Sequence, residues 1–154
     1  MITLRFVSHP GIFNWACQIA QYGFWPTHVE AVMPEGKLLG AMSDGVKSRD
    51  AHYDAGKCVR EKFVQLRTSE GRAASFHAFL RSQIGKPYDT WAIVSFYSKR
   101  QGRDWQAPDS WFCSELIAKG LAACGLFPAH LADEFSRITP RDLLLLISTQ
   151  TEAG

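Results

Sequence analysis

Residues 111–125 read WFCSELIAKGLAACG. Cys113, Leu116, Ile117, Gly120, Leu121 and Cys124 fall at helical spacing and form one continuous stripe, and Gly125 supplies a helix stop. A helix that opens on a cysteine has chemical consequences. Its first N–H groups lack an intrahelical acceptor, and together with the macrodipole they favour a thiolate at that place. The same groups suit an oxyanion formed when a carbonyl is attacked. Asp109 and Ser110 precede the helix and are read as its capping residues. Position therefore singles out Cys113 among four cysteines. Cys17 lies on the apolar side of its own helix, Cys58 opens a strand, and Cys124 sits deeper in the stripe as a core residue.

Outward from this helix the chain alternates between strand and helix signals. Residues 2–7 (ITLRFV) form a strand, and Ile12, Trp15, Ala16, Ile19 and Ala20 predict a helix that Gly23 ends. Residues 27–33 and 38–42, joined by the turn Pro34-Glu35-Gly36-Lys37, predict a hairpin. Residues 43–57 read as loop and 58–66 as a further strand. Residues 69–84 carry a helical pattern with Ala73, Phe76, Phe79, Leu80 and Ile84 on the apolar side, stopped by Gly85 and Pro87. Residues 91–97 are apolar without a clear period, and 98–110 form a polar loop long enough for a lid or rim. Thr139 and Pro140 start a last short helix through Leu145. The prediction is one α+β domain over 1–148 with a frayed tail over 149–154.

Composition narrows the function classes. A chain of 154 residues buries a real core without disulfides or metal. The net charge of +2, spread along the chain, argues against a nucleic-acid partner. The cysteines show neither a disulfide framework nor zinc-ligand spacing, so no cofactor or metal is expected. No stretch reaches bilayer-spanning length and the N-terminus lacks a signal-peptide pattern, so a cytoplasmic location without membrane association is expected. The oligomeric state is not readable.

A nucleophilic cysteine needs a base, and His28 is the informative histidine of five. In an extended segment Val29, Ala31 and Met33 point one way, while His28, Glu30 and Val32 point the other. His28 and Glu30 are then neighbours on one face, with Cα atoms about 7 Å apart. A carboxylate there orients the imidazole and stabilises its charged form. The plainer alternative is a surface strand with polar residues turned to water. His9, His52, His77 and His130 lack such a setting.

Gly85-Lys86-Pro87-Tyr88-Asp89 followed by Trp111-Phe112-Cys113-Ser114-Glu115-Leu116-Ile117 resembles the nucleophile half of the NlpC/P60 superfamily. There a G-x-P-Y segment precedes a C-S-x-L-[VI] helix that carries the catalytic cysteine. Here the histidine strand, Thr27-His28-Val29-Glu30, comes first, as in the circularly permuted branch that includes the YiiX/YebB-like hydrolases. The resemblance spans about residues 25–145 and implies a papain-like fold: a central antiparallel sheet with the Cys113 helix packed against it. Tyr88 matches a tyrosine that in the superfamily helps shape the oxyanion or substrate site; otherwise it is a half-buried aromatic. Many relatives carry a third polar residue on the strand after the histidine. This chain has Leu39, Gly40 and Ala41 there, which leaves Glu30 as the candidate, with Asp44 and His52 as alternatives.

The resemblance implies a thiol hydrolase acting on an amide, such as a cell-wall peptide, or on an ester, through an acyl-enzyme. Its substrate would be a small peptide or an amino-acid-containing molecule. Two other readings keep the fold: a lipid-directed acyltransferase or thioesterase, and a non-catalytic binding or structural module such as a phage component.

Overall fold

The computed structural model describes residues 1–11, 18, 22–88, 112–128 and 138–151. Five strands, β1 (Ile2–Ser8), β2 (His28–Val32), β3 (Leu38–Met42), β4 (Gly45–Arg49) and β5 (Arg60–Leu66), form one antiparallel sheet in the order β4-β3-β2-β1-β5. Among the described residues three helices accompany it: α1 (Glu70–Ser82), α2 (Cys113–Ala123) and α3 (Pro140–Thr151). The class is α+β, as the alternation of signals predicts.

Local chemistry explains the element ends. The hairpin between β2 and β3 turns on Gly36, whose φ of 79° lies in the left-handed region, and Met33 donates to the Lys37 carbonyl at 2.8 Å. Ser69 caps α1 by accepting from the Arg72 amide. At the end of α2, Gly125 donates to Ala122 and Leu126 to Leu121, both at 2.9 Å, in a Schellman arrangement with Gly125 left-handed. Thr139 and Asp142 cap α3 reciprocally. That helix runs on through Thr151, beyond the expected end at Leu145 and into the segment expected to fray. Residues 45–49, expected as loop, form β4, because they pair with β3 from Leu38↔Arg49 to Met42↔Gly45. Val46 is the one hydrophobic side chain in GVKSR, too little for an alternation to show. Ile84, expected on the buried side of α1, is exposed because the helix ends at Ser82.

The core forms where α2 packs on β2, β3 and α1, with α3 reaching α2 and β5. Leu4, Phe6, Val29, Ala31, Leu39 and Ala41 meet Leu116, Ile117 and Leu121 there, all essentially fully buried. Such burial stabilises by about 1.5–3 kcal/mol for each large side chain. The predicted stripe is buried at every position from Cys113 to Cys124. Gly120 lets the helices close up, since a Cβ there would lie 2.9 Å from the Phe76 ring. Alternate residues Arg5, His28 and Glu30 belong to the other side of the pleat, covered by the 50–58 segment. The predicted 12–20 helix, the 91–97 run and the 98–110 loop lie outside the described residues. Among the described residues no helix is long and apolar enough to cross a membrane.

The G-K-P-Y segment extends the sheet at its β4 edge. Val46 donates to the Lys86 carbonyl at 2.9 Å, and Gly85 donates to Val46 at 3.0 Å. Gly45 permits this docking, with φ 95° and a virtual Cβ only 2.8 Å from the Lys86 carbonyl oxygen. Gly45→Ala is expected to destabilise the protein by about 1–3 kcal/mol through backbone strain and loss of that contact. Chemical denaturation of the two proteins measures the difference.

Candidate active site

The antiparallel register of β1 and β2 places Arg5 directly opposite Glu30 and Val7 opposite His28. Cross-strand neighbours on one face meet through their side chains, and these do. Glu30 is fully buried and accepts a hydrogen bond from Arg5 Nη1 to Oε1 at 2.8 Å. The Tyr53 hydroxyl donates to Glu30 Oε2 at 3.2 Å. Oε2 also faces His28 Nε2 at 3.6 Å, an ion-pair distance just longer than a hydrogen bond. The sheet makes room for the carboxylate at Gly40, where an added Cβ would lie 2.9 Å from the Glu30 Cβ. The position that lacks a polar side chain on β3 is thus the one against which Glu30 packs.

His28 is buried at the first residue of β2, so the expectation of a polar residue facing water does not hold. Among its neighbours the Cys113 thiol does most to raise the proton affinity of the ring. Nε2 looks toward Glu30 with no hydrogen-bond partner within reach. Cys113 opens α2 and is 1% exposed. Phe112 occupies the cap position with no side-chain capping bond, so neither Asp109 nor Ser110, both outside the described residues, is the cap.

The protonation states follow from this packing. Burial works against a charged His28, but the influence of Cys113, followed by that of Glu30, outweighs it and pushes the imidazole up to about 10. Burial likewise opposes an ionised Glu30, yet His28 and Arg5 hold it below the ordinary carboxylate range. The two contributions to stability have opposite signs with pH. That of His28 is full below its ordinary 6.5 and lost as pH rises through about 10. That of Glu30 is full above its ordinary 4.5 and lost as pH falls through its lowered value. The pair therefore stabilises the fold fully between 4.5 and 6.5.

The other sequence candidates lie elsewhere. Asp44 is an exposed partner of Lys47 and Arg49, and His52 is an exposed residue of the 50–57 turns, so neither replaces Glu30 beside His28. Tyr88 is partly buried, its ring 6.0 Å from that of Phe112, the residue before Cys113. Cys124 is buried, its thiol pushed up by burial, and Cys58 is half-buried; both are free thiols. Cys17 lies outside the described residues. Sequence reasoning missed Arg5, Tyr53, Asp54 and His9. Asp54 accepts from Arg5 at 3.0 Å and pairs with His9 Nε2 at 2.7 Å. A lone arginine inside ITLRFV was a readable signal for Arg5; the loop positions offered none. Among the described residues no cluster suits a metal ion.

The fold is an α+β domain whose antiparallel sheet holds a buried imidazole 3.6 Å from a buried carboxylate, with a buried thiol at the start of α2. In comparisons with known proteins, no family model matches the chain and no curated protein matches it.

Because Cys113 supplies the leading upward influence on His28, Cys113→Ala leaves burial less opposed. The His28 titration should move to markedly lower pH, as followed by NMR of the imidazole protons. An unchanged titration would show that the thiol and the ring do not interact.

Proposed function

We propose that this chain is a cysteine hydrolase of the circularly permuted papain-like, NlpC/P60 kind, cleaving an amide or ester through an acyl-enzyme. The observation that supports the reading is the burial of His28 beside the buried Glu30, 3.6 Å away, with Cys113 the main influence raising its proton affinity, an expensive arrangement for a merely structural histidine. The Cys113 sulfur attacks the substrate carbonyl carbon and forms a C–S bond. The carbonyl π electrons move to oxygen, and the first-turn N–H groups of α2 serve as donors to that oxyanion. His28 holds the thiol proton and delivers it to the leaving nitrogen or oxygen as that bond breaks. Water then attacks the thioester, giving its proton to His28, and the returning proton restores the thiol as the carboxylic acid leaves. Glu30 keeps the imidazole oriented and compensates its charge, the role of the third member in such sites. Tyr88, its ring tilted 41° to that of Phe112 at 6.0 Å, belongs to the wall of the substrate site.

An amide in a small peptide, such as a cell-wall fragment, is the substrate class first implied by the sequence resemblance. The residues needed for the bond-breaking steps are all in the chain, and none of those steps calls for a metal or cofactor.

Exposure and site chemistry predict opposite outcomes for alkylation, which makes the test sharp. Cys58 is more exposed than Cys113. Iodoacetamide near neutral pH is nevertheless expected to label Cys113 first, as mapped by peptide mass spectrometry. Cys113→Ala and His28→Ala should abolish hydrolysis of any substrate found. Preferential labelling of Cys58, together with full activity of Cys113→Ala, would refute the proposal.

A further inference from the structure

The polar side of the sheet contains a group that the bond-breaking steps do not use. Arg5 is 4% exposed and carries three carboxylates on its three guanidinium nitrogens. Nη1 donates to Glu30 at 2.8 Å, Nη2 to Asp54 at 3.0 Å and Nε to Glu61 at 2.9 Å. We propose that Arg5 is a positioning residue for the Cys113–His28 pair, acting through Glu30 by fixing which carboxylate oxygen faces the imidazole. This deepens the cysteine-hydrolase reading and rests on it.

Geometry separates this role from simple charge balance. A buried carboxylate with one cation near it can rotate, and either oxygen can face His28. Here Arg5 holds Oε1 at 2.8 Å, the Tyr53 hydroxyl spans both oxygens at 3.4 and 3.2 Å, and Oε2 is the one toward His28. The guanidinium itself cannot swing, because Asp54 and Glu61 hold its other two nitrogens. That arrangement requires a planar fork of donors; an ammonium at the same place supplies charge without direction. The groups that face Glu30 are therefore His28, Arg5 and Tyr53, and those that face Arg5 beyond it are Asp54 and Glu61. His9 completes the row on Asp54 at 2.7 Å.

The same region offers an unusual test. A cavity of about 420 Å³ is bounded by Arg5, Asp54 and Glu61, with Val32, Leu38 and Phe63 as apolar walls. Phe63 and Glu61 are half-exposed, so the cavity reaches solvent. A small guanidinium compound can then enter the space that truncation of Arg5 leaves, between the same carboxylates.

The experiment measures Cys113 alkylation by iodoacetamide against pH in the full chain, for wild type, Arg5→Ala and Arg5→Lys, with thermal unfolding as a check on folding. Arg5→Ala should slow labelling at mildly acidic pH by about tenfold or more, the effect of moving the profile up by one pH unit. Millimolar methylguanidinium should restore the profile, and methylammonium should not. Arg5→Lys should remain displaced although it keeps the charge. A folded Arg5→Ala with the wild-type profile overturns the proposal, and so does a loss that methylammonium restores equally well. If Arg5→Ala does not fold, Arg5→Lys decides alone: a displaced profile supports the role and a wild-type profile overturns it. Should wild-type Cys113 show no preference over Cys58, the cysteine-hydrolase reading fails first and this role falls with it.

Discussion

The structure depends on one buried carboxylate. Glu30 is fully inaccessible on a central strand, and an uncompensated charge there would cost several kcal/mol. Arg5 and His28 supply the compensation, and the Tyr53 hydroxyl, kept protonated by burial and by the neighbouring carboxylates, adds a donor. Losing one member of such a buried set costs about 3–5 kcal/mol, because its partner is left charged without compensation. The cost of burial is high enough that the arrangement specifies its surroundings. Gly40 must lack a side chain, β1 must pair with β2 in this register, and the 50–58 segment must fold back to bring Asp54 and Tyr53 over the sheet.

That constraint connects fold to chemistry. The pairing Arg5↔Glu30 sets Val7 opposite His28, the first residue of β2. Helix α2 is held by apolar burial against β2, β3 and α1, which fixes Cys113 relative to the imidazole. Ser114 adds a directional bond, donating to the Ile138 carbonyl at 2.5 Å just ahead of α3. The apolar side of the sheet thus locates the sulfur, and the polar side determines the charge and orientation of the ring. In the proposed mechanism each side supplies one half of the reacting pair.

Much of this was legible in the chain, and what was hidden has a physical explanation. The helix stripe from Cys113 to Cys124, the hairpin around Gly36 and the cap at Thr139 depend on neighbours within a few residues. Period-two alternation in HVEAV put His28 and Glu30 on one face. Strand β4 was obscured because its pairing, rather than its composition, makes it a strand. Burial of the His28–Glu30 face was hidden too, since it comes from Tyr53 and Asp54, more than 20 residues away along the chain. His9 and Asp54 meet across 45 positions with no local pattern to announce them. The reading of Asp109 and Ser110 as caps failed because α2 starts directly from the extended Phe112.

The central claim is that Cys113, His28 and Glu30 act as one acyl-transfer unit. Its most direct measurement is rapid-mixing acylation by p-nitrophenyl acetate, with the modified cysteine located by mass spectrometry. The account predicts a burst of one equivalent of p-nitrophenolate, a single acetyl group on Cys113, and loss of the burst in His28→Ala. Acetyl groups distributed over Cys58 and Cys124, or a burst of equal size without His28, would contradict it.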